Sequence, residues 1–132
     1  MKFYMEQPGE VFAEYTVPEK FQGYPGVVQG GIVATMLDEI TLRAHLDPDE
    51  PRFMFTARLD VRYRKPVPTE VPLRIVGRAL KNKPRVATSH GAIYNLEGEL
   101  LAEAEALFIN VPDQQLDPMG EEALGWKVYP DE

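Results

Sequence analysis

FQGYPGVVQGGIVATMLDE, residues 21–39, carries a glycine- and proline-bearing loop straight into an apolar helix. The join lies at Gln29-Gly30-Gly31, and a carboxylate, Asp38, stands eight residues inside. The first N–H groups of a helix have no partner within it, and the helix dipole adds partial positive charge there. Such an end suits an anion or a developing oxyanion. A carboxylate a little further on suits a base or a nucleophile. On spacing alone, Asp38 reads equally as a solvated helix carboxylate, and the glycine pair as a close contact of helix on strand.

The helix is expected from Gly30 to His45 or Leu46, because Leu46-Asp47-Pro48 stops it: a residue before proline disfavours helical geometry. Steps of about 100° per residue place Val33, Met36, Leu37, Ile40 and Ala44 on one stripe. Gly31, Ala34, Asp38, Leu42 and His45 fall on roughly the opposite side. Asp38 therefore points away from the main packing face, where a buried carboxylate would be costly. That opposite side is small and rather apolar, which calls for a ligand, a second surface or a partner subunit to cover it. His45 near the helix end suits the dipole, and Glu39 reads as a boundary charge.

Working outward, Met1–Gly9 reads as a loose entry and Glu10–Val17 as a strand stopped by Pro18. After the helix the period changes to two. Phe53, Phe55, Ala57, Leu59, Val61 and Tyr63 alternate with Met54, Thr56, Arg58, Asp60, Arg62 and Arg64, one long strand. Three more strands are expected at Val71–Leu80, Arg85–Tyr94 and Glu99–Val111, joined by turns at Lys81–Pro84 and Asn95–Gly98, the last closed by Pro112. Short turns imply antiparallel neighbours in a meander-like order. The acidic, irregular stretch 113–132 reads as a tail docked by Trp126 and Tyr129, or frayed. One long helix on one antiparallel sheet is a two-layer α+β domain, and long strand edges favour a dimer.

The bulk numbers narrow the function classes. A chain of 132 residues with 44% hydrophobic residues suits one domain with a real core. It has no cysteine, which removes disulfides, thiolate metal sites and a cysteine nucleophile. Two histidines, His45 and His90, argue against a multi-histidine metal centre, and His90 in a strand reads as a satisfied structural residue. A net charge of -7 argues against nucleic acid as the main partner. No signal-like segment or run of about 20 apolar residues is present, so no membrane contact and a cytoplasmic setting are expected. Nine of the fourteen basic residues lie between Arg58 and Arg85, where the only acids are Asp60 and Glu70. Some of Arg58, Arg62, Arg64, Arg78, Lys81, Lys83 and Arg85 would meet phosphates, or all would pair with Glu97, Glu99, Glu103 and Glu105.

Three stretches carry a family resemblance: residues 21–39 above, FTARLDVRYRKPVP at 55–68 and LEGELLAEAEALFI at 96–109. With the strand before the helix they cover about residues 10–112 of a single domain spanning 1–132. The order of elements resembles the hotdog fold, an α+β architecture in which an antiparallel sheet wraps one long central helix. The motifs are similar to those of the PaaI-like branch of acyl-CoA thioesterases. The resemblance implies that the Gly30 amide receives the thioester carbonyl oxygen and that Asp38 is base or nucleophile. It implies that Thr56 orients the attacking water or its neighbours, serving the Asp38 of the partner subunit where the site is shared. Gln29 stands where the family has histidine and cannot titrate near neutrality. Gly23 stands where some members have asparagine, and Gln29, Gly31 and Gly23 would contact substrate.

The implied activity is hydrolysis of a small or medium acyl-CoA by a homodimer or homotetramer, with no metal or cofactor. A non-hydrolytic acyl-CoA binder is the alternative that Gln29 prompts. A dehydratase of the same fold ranks lower, since no histidine stands near the glycine pair. An acyl-carrier-protein thioester could replace the CoA ester.

Overall fold

The computed structural model of the protein describes residues 1–46 and 52–111. Its elements are β1 (Tyr4–Gln7), β2 (Glu10–Thr16), a 3-10 turn (Glu19–Phe21), α1 (Gly30–Arg43), β3 (Met54–Tyr63), β4 (Pro72–Asn82), β5 (Val86–Tyr94) and β6 (Leu100–Asn110). The expected breaks at Asp47-Pro48 and Pro112, and the tail with Trp126 and Tyr129, lie outside the described residues.

Six strands form one antiparallel sheet in the order β1-β2-β4-β5-β6-β3, with α1 against one face. This is the hotdog arrangement. Two sequence expectations need correction. The entry is not loose: β1 pairs with β2, Tyr4 stacking on Phe12 at 5.4 Å between ring centres. The strands after the helix are not a plain meander, because β3 crosses to the far edge and pairs with β6. Among the strands after the helix, only β4, β5 and β6 follow the short-turn rule. At the β5–β6 turn, Asn95 Oδ1 accepts the Glu99 N–H at 2.9 Å, and Gly98 takes φ 84°, left-handed backbone that suits glycine.

The crossover from β3 to β4 runs past the helix start and ties it down. Val28 N–H donates to Val67 O (2.7 Å), Thr69 N–H to Gly26 O (3.0 Å) and Glu70 N–H to Val17 O (2.9 Å). The loop before α1 is folded on itself through Gly23 N–H to Val27 O (2.8 Å) and Gly26 N–H to Gln22 Oε1 (3.0 Å). The loop that begins the opening motif is thus a braced platform.

The expected helix stripe is the buried one: Val33, Met36, Leu37, Ile40 and Ala44 all lie in the core with Leu73, Ile75 and Ile93. Each fully buried aliphatic side chain contributes about 1.5–3 kcal/mol. The helix lies close on the sheet because a Cβ at Gly77 would sit 2.4 Å from Ile40 O, and one at Gly91 2.8 Å from Thr41 Cγ2. The supposedly open side is only half open. Leu42 packs on Phe108, Ala87 and Ala106, and His45 is buried, since the curled sheet reaches the last turns. Gly31 and Thr35 stay exposed nearer the start.

The long strand β3 is not a continuous alternation. Thr56 pairs with Phe108 and Arg58 with Leu107, so Ala57 is an extra residue in a β-bulge. Before the bulge Met54 and Thr56 face the helix side and Phe55 faces out. After it Leu59 and Val61 face inward and pack on the core. The extra residue reverses the phase, and that reversal turns Thr56 toward α1.

Candidate functional site

Asp38 and Thr56 come together. Thr56 Oγ1 donates to Asp38 Oδ1 at 2.7 Å, within one chain. The family resemblance has Thr56 serve the partner subunit's Asp38 where the site is shared; within this chain the threonine reaches its own carboxylate. Asp38 Oδ2 accepts no hydrogen bond among the described residues. The turn that carries Asp38 is itself anchored. Thr41 Oγ1 donates to Leu37 O (2.8 Å) and Asp38 O (2.9 Å), and the buried Ser89 hydroxyl donates to Thr41 O (2.8 Å).

The glycine pair opens the helix as read from the sequence. Gln29 is the N-cap residue, with φ -58° and ψ 139°, and its side chain makes no capping hydrogen bond. Its carbonyl accepts from Ile32 N–H (2.9 Å) and Val33 N–H (3.2 Å). Neither the Gly30 nor the Gly31 N–H has a partner among the described residues. Both glycines are exposed. Gly23, Gln29 and Gly31 are neighbours: a Cβ at Gly23 would be 3.5 Å from Gln29 Cα, and one at Gly31 3.6 Å from Gln29 Oε1. Sequence reasoning missed Tyr63, whose hydroxyl donates to Gly30 O at 2.7 Å. An apolar place in a period-two strand gave no hint of that bond.

His45 is not a dipole-stabilised cation. Its Nε2–H donates to Thr88 O at 2.7 Å, and the buried Nδ1 has no partner among the described residues. Burial lowers its pKa below 6.5, Arg52 adds to the lowering, and the bond to Thr88 O opposes it. A histidine kept neutral in the fold supports stability above the unfolded pKa and withdraws it as pH falls below that value. Thermal melts between pH 7.5 and pH 5 should therefore show stability dropping below about pH 6.5. His45→Gln, which keeps a donor for Thr88 O, should flatten that slope; an unchanged slope would place the titration elsewhere. His90 is satisfied as expected, bonded to Glu103 at 3.0 Å. That bond, and Arg64 beside it, hold the Glu103 carboxyl below its ordinary range.

Several of the clustered cations are paired: Arg58 with Asp60 (2.9 Å), Arg64 with Glu103 (2.9 Å) and Arg78 with Glu10 (3.4 Å). Arg62, Lys81, Lys83 and Arg85 form no ion pair among the described residues. The last three flank the β4–β5 turn, at the end of the sheet where Val86 pairs with Ile109 and Ile109 with Phe55, next to Thr56. A concavity of ≈ 830 Å³ lies elsewhere, lined by Tyr4, Phe12, Tyr15 and Arg74, and includes neither Asp38 nor Thr56. Among the described residues no cluster of three metal-ligating side chains occurs, and no helix is long and apolar enough to cross a membrane.

A family model described as the thioesterase superfamily matches residues 25–102. A crystal structure of a thioesterase superfamily protein superposes with a TM-score of 0.73 at 30% identity, over 81% of this chain and 54% of that one. A Streptococcus mutans protein crystallised with acetyl CoA superposes with a TM-score of 0.70 at 19% identity, over 83% of this chain and 86% of that one. An uncharacterized protein of Schizosaccharomyces pombe is 30% identical over 113 residues, 81% of this chain and 64% of that protein. The chain thus spans just over half of the first structure and under two thirds of the yeast relative.

Proposed function

This chain belongs to the thioesterase superfamily, and from that membership we propose that it is an acyl-CoA thioesterase, hydrolysing a small or medium acyl-CoA to the free acid and CoA. The carrying observation is the Thr56–Asp38 bond, which occupies Oδ1 and leaves Oδ2 for chemistry. Oδ2 takes a proton from water as the water oxygen attacks the thioester carbon, or attacks that carbon itself. The carbonyl oxygen gains negative charge and is received by a Gly30 N–H. On the first route collapse breaks the C–S bond and the proton passes to the departing thiolate, giving acid and thiol; on the second, C–S cleavage leaves a mixed anhydride on Asp38, which water hydrolyses to the free acid while its proton goes to the thiolate.

Distance decides which Gly30. Gly30 and Asp38 lie about 12 Å apart along one helix at 1.5 Å per residue. A nucleophile about 3 Å from the attacked carbon and a donor about 3 Å from its oxygen cannot be so far apart. The reading therefore joins Asp38 and Thr56 of one chain to Gly30 of the partner subunit in a homodimer. The free edge of β3, last in the sheet, offers the place for a second copy. Lys81, Lys83, Arg85 and Arg62 are left to meet CoA phosphates. A protein of the same fold holding acetyl CoA supports a CoA ester as substrate, and the cytoplasm is the proposed setting.

Thiol release from a panel of acyl-CoAs tests this directly, because a protein without cysteine adds no thiol background. Tight CoA binding with no turnover of any ester would favour the second reading, an acyl-CoA binder, which the uncapping and untitratable Gln29 supports. Gln29→His is expected to raise turnover by at least about tenfold, since an imidazole at the helix start can donate to the carbonyl. An unchanged rate would mean that position 29 only shapes the loop.

A further inference from the structure

The unassigned contact at the helix start is the one made by Tyr63. It is the last residue of β3, and its backbone is pinned from the next positions: Arg64 N–H and Lys65 N–H both donate to Leu101 O, at 2.8 and 2.9 Å. Arg64 is also held by Glu103, and Lys65 by Glu99. From this anchored strand end the phenol reaches back to Gly30 O at 2.7 Å. The ring lies along the glycine, so that a Cβ there would be 3.4 Å from the phenol oxygen and 3.7 Å from the ring.

The carbonyl of Gly30 and the N–H of Gly31 belong to one planar peptide unit. A hydrogen bond to that carbonyl fixes the plane and polarises the unit, so the N–H on its other side becomes a better-aimed donor. The neighbouring unit, whose N–H is that of Gly30, is fixed by the bonds from Ile32 and Val33 to Gln29 O. Both unpartnered N–H groups are thus held in place by the helix, and the second also by Tyr63, whose hydroxyl adds a bond to a carbonyl that already opens the ladder of α1. We propose that Tyr63 is a positioning residue of the oxyanion site: it holds the Gly30–Gly31 peptide so that the Gly31 N–H stands beside that of Gly30 as a second donor to the thioester oxygen. This rests on the thioesterase reading and adds to it a donor and the side chain that aims it.

In the single chain Tyr63 is 55% exposed. Removing its hydroxyl leaves Gly30 O with its bond from within α1, and Tyr63→Phe keeps the ring against Gly30. The variant is expected to lower kcat about tenfold, the size of one neutral hydrogen bond, while KM and the melting temperature stay put. In amide NMR spectra of the free protein the Gly31 resonance should move more than that of Gly30. The spectra test the positioning without any turnover. If the wild type hydrolyses no ester yet Tyr63→Phe shifts Gly31, the thioesterase reading fails and the positioning stands. If the wild type turns over and Tyr63→Phe leaves kcat unchanged, or raises KM alone, the inference is overturned and the thioesterase reading survives. A still Gly31 resonance, or a fall in melting temperature that accounts for the lost rate, also overturns it.

Discussion

Asp38→Asn should lower kcat for the preferred acyl-CoA by at least about a hundredfold while leaving the fold intact, within the range seen when a positioned acid–base group is removed. Asparagine has the same shape, and its side-chain oxygen can still accept the Thr56 hydroxyl that now bonds Oδ1. The turn around it keeps its anchors, since Thr41 and Ser89 bond to backbone oxygens. What disappears is the second oxygen, the one left to take a proton from water. Steady-state thiol release on both proteins, with melting curves as the control, measures this. Equal turnover in the two would remove Asp38 from the chemistry.

Gly30→Pro should be nearly as damaging, and it tests a different atom. An alanine at this position would keep the N–H; only proline deletes it. The first helical position is also where proline is best tolerated, and the residue before proline must be extended. Gln29 already is, at φ -58° and ψ 139°. The helix should form as before, and kcat should fall by about 10²–10³, as for loss of one oxyanion donor. The two variants together test the shared site. If Asp38 works with Gly30 of the partner subunit, each hybrid dimer has one complete site. Co-folded in equal amounts, two inactive variants should then recover about a quarter of wild-type activity, since half the dimers are hybrids. An inactive mixture containing hybrid dimers would mean that no intact pair spans two chains.

The residues of the proposed site were largely legible in the sequence. Val33, Met36, Leu37, Ile40 and Ala44 follow a period that only a helix satisfies, and all five are buried. Gly30, Gly31 and Asp38 follow from where that helix starts. The contacts between elements were less legible. Pairing of β3 with β6 joins residues far apart in sequence, and no turn signal speaks for it. His45 sits on the side a helical projection leaves open, yet the curl of the sheet covers it, and curl is a property of many strands together. β1 was invisible because four residues that end in polar ones, Tyr4–Gln7, carry too little alternation. Thr56 came from a family pattern; period two alone put it among Arg58, Asp60 and Arg62, on the wrong face.

The spare residue at Ala57 has a meaning beyond Thr56. Thr56 and Tyr63 are separated by an odd step, and in an unbroken strand an odd step puts two side chains on opposite sides of the sheet. With the bulge between them, both reach the same helix, one at Asp38 and the other at Gly30. The strand works as a two-pronged clamp whose gauge is a residue count. A single insertion or deletion between the prongs would turn one of them to solvent while leaving every pairing rule of the strand satisfied. The length of that segment is therefore under a constraint that neither its hydrophobicity nor its charge reveals.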